Sequence, residues 1–555
     1  MVYIKYGCCF LGLLAISMIC ACDKSSTTEA SNPAVSPTNP AVAPANLESK
    51  LALDLENVVG TIDGLCYGVN DPLIPEAPFR RFGGNRTTGY NWEINSSNAG
   101  IDHEHVSDRW LNEGVGLPEK DSSPAAVILK TVERNQADGA ESLVTVPMAG
   151  YVAADASKKS VGWGETAPSK RWVKLEPTKP GGGFGAPDLR DGKVYVDEEV
   201  AWFVSKFGAS SQGGIKYYSL DNEPSIWKDT HPRLHSKKAS YEEVTNKSIV
   251  TADAVLTVDP EAQIVGAALY GWYGHVGLQD APDKDRFNKK HGNFSAYYLS
   301  TMREASEKRG KRLLHMFDFH WYPEATGGGK RISIGDGQNV VTDVVVEARV
   351  QAPRSLWDPS YVENSWIAQK SGDQPIQLIP RMQKIIEENY PGTRLAILEY
   401  NYGAGHHFSG GLATADVLGI FGRYGVAACL WTVREDNEFE KAAFRLYLNY
   451  DGEGSKFEKN VIGVPSTASQ QESIYAACSD DKKTLTVVLI NKQPGSVLDK
   501  QVQLQGVQGV PAVRAFRFGP GYSELRPVSK DLNPSEGGFE IKCPPHTATL
   551  VELKL

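Results

Sequence analysis

The segment from Tyr217 to Trp227 reads YYSLDNEPSIW, and it decides how the rest of the chain is interpreted. Its aromatic start predicts a β-strand, and Pro224 stops that strand from continuing. Between them lie three hydrogen-bonding side chains, Asp221, Asn222 and Glu223. Either the strand ends in an ordinary polar turn, or it presents a catalytic carboxylate at the end of a barrel strand.

Seven other apolar or β-branched runs between residues 60 and 435 resemble this strand. The eight predicted strands cover 65–70, 79–84, 142–148, 215–221, 264–269, 314–322, 394–400 and 426–433. Amphipathic helical patterns fall between many of them, at 197–207, 380–390 and 413–425. This alternation predicts an α/β fold, a (β/α)8 TIM barrel over residues 61–440. A doubly wound open sheet is the alternative, but no G-x-G-x-x-G follows the first strand.

The pattern changes after the barrel region. Residues 441–555 contain short alternating strands separated by Gly, Pro and Asp turns, which predicts a C-terminal antiparallel β-sandwich domain. The segment KLALDLE at 50–56 alternates in the same way. We therefore expect residues 47–60 to add a strand to the sandwich, so that both ends of the chain share one domain.

The first 46 residues indicate export. Residues 1–22 combine Lys5 with an apolar run and end in Ile19-Cys20-Ala21-Cys22, which resembles a lipoprotein-type signal peptide with Cys22 as the lipidated residue. A plain cleaved signal or a short anchor is the alternative. Residues 23–46 are rich in Ser, Thr, Pro and Ala and predict an extended tether. Each interpretation places the protein outside the cytoplasm, in the periplasm, at the cell surface or secreted.

Composition excludes several classes of function. The 555 residues carry a formal net charge of −9 without a basic block, so nucleic-acid binding is not expected. Four cysteines remain beyond the signal region, and none forms a C-x-x-C pair that would predict zinc. Cys66 and Cys429 lie in apolar runs and are expected to be buried thiols, with a disulfide as the alternative. Neither H-E-x-x-H nor G-x-S-x-G occurs. The protein is expected to be a monomer that touches the membrane only through Cys22.

Two carboxylates stand at the carboxyl ends of predicted strands, where barrel enzymes carry their chemistry. Glu223 follows the fourth strand, and Glu399 ends the seventh in LAILEYNYG. Glycosidic bond cleavage needs such a pair, one neutral to protonate the leaving oxygen and one ionised to attack or to activate water. The alternative for each is a structural ion pair with a barrel arginine. A second glutamate three strands later favours catalysis.

Other candidates surround this pair. Asn222 can bind the sugar 2-hydroxyl, and Tyr322 and Arg81 can orient Glu399 and keep it charged. Arg80 is the rival of Arg81, because the strand register is uncertain by one residue. Further substrate-binding candidates are Asn85, Trp357, Trp366 and Trp431, of which Trp431 is the best-placed platform; core packing is the alternative for any single Trp. His320, His406 and His407 are candidate ligands or hydrogen-bonding groups, but they lack a zinc spacing such as H-E-x-x-H.

Several long motifs together resemble glycoside hydrolase family 44. They are YGVN, RFGGNRTTGYNW, SSNAG, TVPMAGYVAAD, YSLDNEPSIW, FHWYPEA, SLWDPSYVENSWI and LEYNYGAG, and the resemblance covers roughly residues 50–555. It implies a barrel joined to a β-sandwich and a retaining endoglucanase, in many members also a xyloglucanase. It also implies Glu223 as acid/base, Glu399 as nucleophile and no cofactor for catalysis.

The same resemblance implies a structural calcium ion bound by Glu93, Asp188 and Asp191, oxygen ligands beside a glycine turn; acids in a polar loop that are simply solvated are the alternative. The segments AGIDHEHVSDRW and ATGGGKRISIGDG depart from the family pattern, so the preferred β-glucan stays open. The alternative functions are a retaining barrel hydrolase acting on mannan or xylan, and a surface glycan-binding lipoprotein without catalysis.

Overall fold

The computed structural model of the protein describes residues 50–70, 73–431, 434–465 and 469–555. The predicted signal peptide at 1–22 and tether at 23–46 lie outside the described residues. Within those ranges, no helix has the length and apolar character needed to cross a membrane.

Eight parallel strands close into a barrel. In chain order they are β1 (Gly68–Val69), β2 (Phe79–Phe82), β3 (Glu141–Val146), β4 (Tyr217–Leu220), β5 (Gln263–Leu269), β6 (Met316–Phe319), β7 (Arg394–Tyr400) and β8 (Ala427–Leu430). Each strand pairs with its neighbour in sequence, and β8 pairs with β1. Every predicted strand overlaps one of these, so the predicted (β/α)8 barrel is confirmed.

Helices surround the barrel and connect its strands. The α-helices are Asn85–Thr88, Leu111–Gly114, Ala126–Ala137, Val196–Phe207, Trp227–Thr230, Tyr241–Val258, Gly271–Gly277, Lys284–His291, Phe294–Arg309, Asp343–Gln351, Trp366–Lys370, Leu378–Asn389, Phe408–Tyr424 and Glu438–Leu448. The 3-10 turns are Gly64–Tyr67, Trp92–Ile94, Gly100–His103, Trp163–Glu165, Ser210–Gln212, Pro224–Ile226 and Ala352–Leu356. Small sheets on the loops pair Ser97–Asn98 with Ser107–Asp108, Tyr151–Ala153 with Trp172–Glu176 and then Lys193–Tyr195, and Thr326–Gly327 with Lys330–Arg331.

The second domain is a two-sheet sandwich. One sheet contains, in spatial order, Lys50–Leu53, Leu498–Leu504, Gly538–Cys543 and Leu532–Ser535. The other contains Val58–Thr61, Asn460–Ile462, Glu472–Cys478, Thr484–Asn491, Thr547–Lys554, Ala512–Gly519 and Tyr522–Val528. The strands pair antiparallel except at one edge, where Lys50–Leu53 runs parallel to residues 501–504. Side chains such as Leu53, Val487 and Phe539 fill the space between the sheets.

A buried ion pair joins the two domains. Asp416, on the barrel helix Phe408–Tyr424, lies 2.7 Å from Nζ of Lys492 and accepts a hydrogen bond of 2.5 Å from the Tyr475 hydroxyl. Both charged side chains are only 1% exposed. A charge pair held this far from water strongly penalises the loss of either partner. The four cysteines of the described residues, Cys66, Cys429, Cys478 and Cys543, are buried and free.

Candidate active site

The turn after β4 is held by Asp221. Its Oδ1 accepts hydrogen bonds from Thr88 Oγ1 at 2.6 Å, from the Asn222 backbone N–H at 2.7 Å and from Trp227 Nε1 at 3.3 Å. Its Oδ2 accepts from the backbone N–H groups of Met148 at 2.6 Å and Ala149 at 3.1 Å. Asp221 therefore ties the ends of β3 and β4 together and fixes the residues that follow it.

This turn is also strained. Asp221 has a φ of 62° and Glu223 a φ of 43°, in the left-handed region that residues with a Cβ rarely occupy. Such conformations cost on the order of 1–3 kcal/mol each and persist only where the surroundings enforce them. The hydrogen bonds of Asp221 provide that enforcement, and the result is a Glu223 side chain directed across the mouth of the barrel toward β6 and β7.

Glu223, His320 and Glu399 meet at the centre of the mouth. All three are buried, and each offers one ligand atom within 4.8 Å of those of the other two. His320 Nδ1 lies 2.9 Å from Glu223 Oε1 and 3.5 Å from Glu399 Oε2. Behind the ring, His320 Nε2 faces Asp318 Oδ2 at 3.4 Å. The histidine thus stands between the two carboxylates and is backed by a third.

Arg81 and Tyr322 complete the surroundings of Glu399. Arg81 donates from Nη1 to Glu399 Oε1 at 2.8 Å and from Nη2 to Asn222 Oδ1 at 2.8 Å. The Tyr322 hydroxyl donates to Glu399 Oε2 at 2.9 Å. Both carboxylate oxygens therefore have a donor, as the sequence predicted for these residues. The guanidinium also fixes the amide orientation of Asn222, because it binds Oδ1 and leaves Nδ2 directed away from the arginine.

The rival arginine is excluded from the mouth. Arg80 points outward from β2 and donates to Asp138 at 2.6 Å, to Asn135 at 3.2 Å and to the carbonyl of Pro75 at 2.8 Å. Successive side chains in a strand face opposite sides. Because Arg81 faces the interior, Arg80 must face the helices, and the register that the sequence left open is now fixed.

The electrostatics of the centre differ between the two glutamates. Burial raises the pKa of Glu223, the negative charge of Glu399 raises it further, and the hydrogen bond from His320 opposes both. Burial disfavours the charged form of His320, but the carboxylates of Glu399 and Asp318 outweigh it and raise its pKa to about 10. Burial also raises the pKa of Tyr322, which keeps its hydroxyl protonated and able to donate.

The predicted aromatic platforms separate into two groups. Trp431 follows β8 and packs on Gly84, where a Cβ would come within 2.6 Å of its ring. Trp366 stacks on Tyr273 with ring centroids 4.5 Å apart, and Tyr273 lies on the helix that follows β5. Both tryptophans are thus on the mouth side of the barrel.

Trp357 is not at the mouth. Its ring lies 5.5 Å from Cζ of Arg423, in the last turn of the helix Phe408–Tyr424, which begins at the mouth and runs to the opposite end of the barrel. The short turn Ala352–Leu356 carries Trp357 into the outer helix layer. The prediction of a substrate-binding role for Trp357 is therefore corrected to a packing role.

One polar contact at the mouth was missed from the sequence. Asn85, a predicted substrate-binding residue, accepts from Asn222 Nδ2 at 3.2 Å and donates to the exposed carboxylate of Asp102 at 3.0 Å. Asp102 belongs to the segment that departs from the family pattern, so no motif pointed to it. Asn85 and Asp102 extend the polar surface outward from Asn222.

The predicted calcium ligands lie in an acidic cluster outside the catalytic centre. Burial, followed by the charges of Asp191 and Glu198, raises the pKa of Glu93 to about 7. Glu93 Oε1 and Glu198 Oε2 are buried, and neither has a hydrogen-bond partner among the described residues. Lys179 pairs with the other oxygen of Glu198. Converging buried oxygens without donors fit a hard cation.

The cluster is open on one side. Asp188 is half exposed and accepts from Arg190 Nε at 3.1 Å. Within the described part of the chain, the catalytic trio is the only group of three whose ligand atoms fall within 4.8 Å of one another. Glu93, Asp188 and Asp191 are therefore near neighbours that do not form a closed ligand set, and Glu198 is a ligand candidate that the sequence did not reveal.

A parallel barrel with two buried carboxylates facing each other at its carboxyl end defines a barrel glycoside hydrolase. Comparison with known proteins leads to the same class. The sequence profile described as Glycoside hydrolase family 44 matches residues 87–325. Endoglucanase A of Paenibacillus lautus is 43% identical over 494 residues, which cover 88% of this chain and 70% of that protein. The chain belongs to glycoside hydrolase family 44.

Two further relatives extend the comparison. A family 44 xyloglucanase structure from Paenibacillus polymyxa superposes with a TM-score of 0.86 at 40% identity, covering 91% of this chain and 99% of that one. Beta-mannanase/endoglucanase A of Caldicellulosiruptor saccharolyticus is 41% identical over 500 residues, which are 87% of this chain and 37% of that protein. The similarity therefore spans both the barrel and the sandwich.

Proposed function

We propose that the protein is an endo-β-1,4-glucanase that cleaves cellulosic glucan, xyloglucan or both by double displacement with retention of configuration. Endo-acting β-glucan hydrolysis is the activity of its family 44 relatives. The observation that carries retention is the short distance between the carboxylates: oxygens of Glu223 and Glu399 lie within 4.8 Å. Retaining enzymes hold these groups about 5–5.5 Å apart, whereas inverting enzymes leave room for a water.

In the first step, the Glu399 carboxylate attacks the anomeric carbon. Glu223, whose pKa burial and the charge of Glu399 raise, gives its proton to the glycosidic oxygen as the C–O bond breaks. The electron pair of that bond leaves with the oxygen, and a covalent glycosyl–Glu399 ester remains. Asn222 is held by Arg81 so that its amide can bind the 2-hydroxyl, a contact that strengthens in the transition state.

In the second step, Glu223 is a carboxylate and removes a proton from water. The water oxygen forms a bond to the anomeric carbon, and the ester bond to Glu399 breaks. His320 supports the role of Glu223 as a base, because it donates a hydrogen bond to Glu223 at 2.9 Å when that carboxylate is charged. Arg81 and Tyr322 donate hydrogen bonds to Glu399 and stabilise the negative charge that returns to it.

The stereochemistry of the product tests this mechanism. Proton NMR of an oligosaccharide digest should show the β-anomer first, with the α-anomer appearing only by mutarotation. An α-anomer formed at the start would establish inversion and exclude Glu399 as a nucleophile.

Initial rates on a polysaccharide panel test the substrate. We expect release of reducing ends from xyloglucan or undecorated β-glucan to exceed release from mannan or xylan. The relative from Caldicellulosiruptor saccharolyticus bears a mannanase name, but this chain spans only 37% of it. Faster cleavage of mannan would favour the alternative retaining hydrolase. Tight binding to glucan without product would favour the glycan-binding lipoprotein.

We further propose that Glu93 and Glu198, with Asp191 and Asp188 beside them, bind a structural calcium ion. The support is the pair of buried carboxylate oxygens without donors and the raised pKa of Glu93. An ion there would neutralise the acidic cluster and stabilise the fold without taking part in the chemistry.

Thermal unfolding checks the calcium proposal. Calcium should raise the melting temperature of chelator-treated wild-type protein by several degrees, and Glu93→Gln should remove that response. Exposed Asp280, which pairs with Lys238 elsewhere on the surface, supplies the control variant Asp280→Asn, which should keep it. A melting temperature that does not depend on calcium in the wild type would contradict the site.

We also propose that the enzyme is a monomer that acts outside the cytoplasm, anchored through Cys22. The support is the sequence of residues 1–46, which combines a lipoprotein-type signal with a tether. Metabolic labelling with a fatty acid should mark the wild type, and Cys22→Ser should abolish the label. Label retained by the variant would contradict Cys22 as the anchor.

A further inference from the structure

Trp163 presents a tryptophan ring to solvent from a rigid turn. The residue is 69% exposed, yet it begins the 3-10 turn Trp163–Glu165. The Gly162 N–H donates to Glu165 Oε2 at 3.0 Å, and Thr166 Oγ1 donates to the Trp163 carbonyl at 2.8 Å. A large apolar ring on a fixed backbone has little conformational entropy to lose when it contacts a partner.

One face of this ring is covered by an arginine. Cζ of Arg233 lies 3.3 Å from the Trp163 ring centroid, and Arg233 Nε donates to the Val161 carbonyl at 3.1 Å. The guanidinium is therefore held in place by the backbone of the same loop. With that face covered and most of the residue exposed, the opposite face is the one that can receive a ligand.

The ring stands on a wall that reaches the catalytic centre. The loops after β2, β3 and β4 form this wall: the N–H of Val161 donates to the His105 carbonyl at 3.0 Å, and Gly100 packs against His231, where a Cβ would come within 2.9 Å of the ring. The turn Gly100–His103 also carries Asp102, which is hydrogen-bonded to Asn85 beside Asn222. These contacts pack the loop that carries Trp163 against the loop that carries Asp102, so both lie on the mouth side of the barrel.

We propose that Trp163, backed by Arg233, is the platform of an outer sugar subsite on which a glucose or xylose unit of the β-glucan chain stacks. This inference rests on the proposed function, because it requires a polysaccharide in the cleft. A flat apolar ring set among polar side chains matches a sugar, whose ring faces are C–H surface and whose rim is hydroxyl. Trp163 lies outside the motifs that carry the family resemblance.

A series of cello- or xylogluco-oligosaccharides of increasing length tests the proposal. Trp163→Ala should leave kcat and KM unchanged for the shortest oligosaccharide that is cleaved, and raise KM about three- to tenfold for those long enough to reach the ring. It should also move the preferred cleavage bond in end-labelled oligosaccharides. Trp163→Phe, which keeps a flat ring, should restore most of the loss. Val510→Ala, at an exposed sandwich position, is the control that should change nothing.

Two outcomes would overturn the subsite. One is an unchanged KM and an unchanged cleavage pattern for every chain length in Trp163→Ala. The other is an equal loss on all lengths, including the shortest, which would show that the ring supports the fold or the catalytic centre. Failure of the proposed function would be seen in different experiments. It would appear as an active Glu399→Gln variant or as a product of inverted configuration, independently of the results for Trp163→Ala.

Discussion

The catalytic centre and the barrel–sandwich interface both bury carboxylates, but they treat the charge in opposite ways. At the interface, Asp416 faces Lys492 at 2.7 Å. At the mouth, Glu223 and Glu399 face each other across His320. The first arrangement pairs each charge with its opposite. The second keeps two like groups together, with Arg81, Tyr322 and His320 as partial compensation.

The matched pair at the interface contributes to the stability of the fold. The like-charged pair at the mouth instead changes the protonation of a carboxyl group. A matched buried pair costs desolvation but strongly resists the removal of one partner. A like-charged buried pair instead shifts protonation, and here it favours the neutral form of Glu223. Perturbed carboxylates at a cleft are typical of catalytic sites for this reason. Substitutions in the two regions should therefore have opposite consequences for activity and stability.

The largest expected effect is on activity at the mouth. Glu399→Gln should lower kcat on β-glucan on the order of 10⁴-fold, because the amide cannot form the glycosyl ester. The folded structure should persist, since glutamine has the same shape as glutamate and can still accept a hydrogen bond from the Tyr322 hydroxyl. Reducing-end assays measure the loss and circular dichroism checks the fold. Turnover within tenfold of the wild type would remove Glu399 from the nucleophile role.

The next effect is on stability at the interface. Lys492→Met leaves Asp416 buried without its counter-charge and should lower the free energy of unfolding by about 3–5 kcal/mol, while kcat of the folded enzyme stays unchanged. Urea titration gives the free energy. The double variant Asp416→Leu/Lys492→Met should recover most of the loss. A single variant as stable as the wild type would mean that the ion pair does not hold the domains together.

The smallest effect is a displaced pH profile. Glu223 must be protonated in the first step, and its hydrogen bond with His320 holds its pKa down. His320→Gln removes the positive charge, so the pKa of Glu223 rises and the alkaline limb of kcat/KM should move up by about one pH unit. His406 is an exposed histidine on the loop after β7, and the control variant His406→Gln should leave the limb in place. Movement toward lower pH would contradict this assignment.

The sequence predicted the barrel because its strands are buried on both faces and appear as apolar runs, such as LAILEY in β7. It predicted Glu223 and Glu399 because acids at the ends of such runs are costly without a purpose. Asp221, by contrast, could not be assigned from the segment YYSLDNEPSIW. Three of its five donors come from Thr88, Met148 and Ala149, which lie on other parts of the chain.

The misplaced residues show where sequence patterns stop being informative. Trp357 and Trp366 lie in one motif, yet only Trp366 reaches the mouth, because the turn Ala352–Leu356 sets Trp357 against Arg423. Trp163 was not predicted, because a single aromatic residue in a loop belongs to no helical or strand pattern. Asp318 was missed as well, although side chains two residues apart on a strand face the same side, so its spacing from His320 indicated the contact.

The parallel edge strand Lys50–Leu53 has a consequence for how the protein is made. It pairs with Leu498–Leu504, so this strand has no partner until the segment around residue 500 has been synthesised. During that time its apolar face has no partner, and the seven-stranded sheet lacks its final strand, Thr547–Lys554. Every barrel strand lies between residues 68 and 430, whereas the sandwich needs segments from both sides of the barrel. Deletion of Lys50–Leu53 or of Thr547–Lys554 would therefore remove a strand from the same sandwich, although the two segments are far apart in sequence.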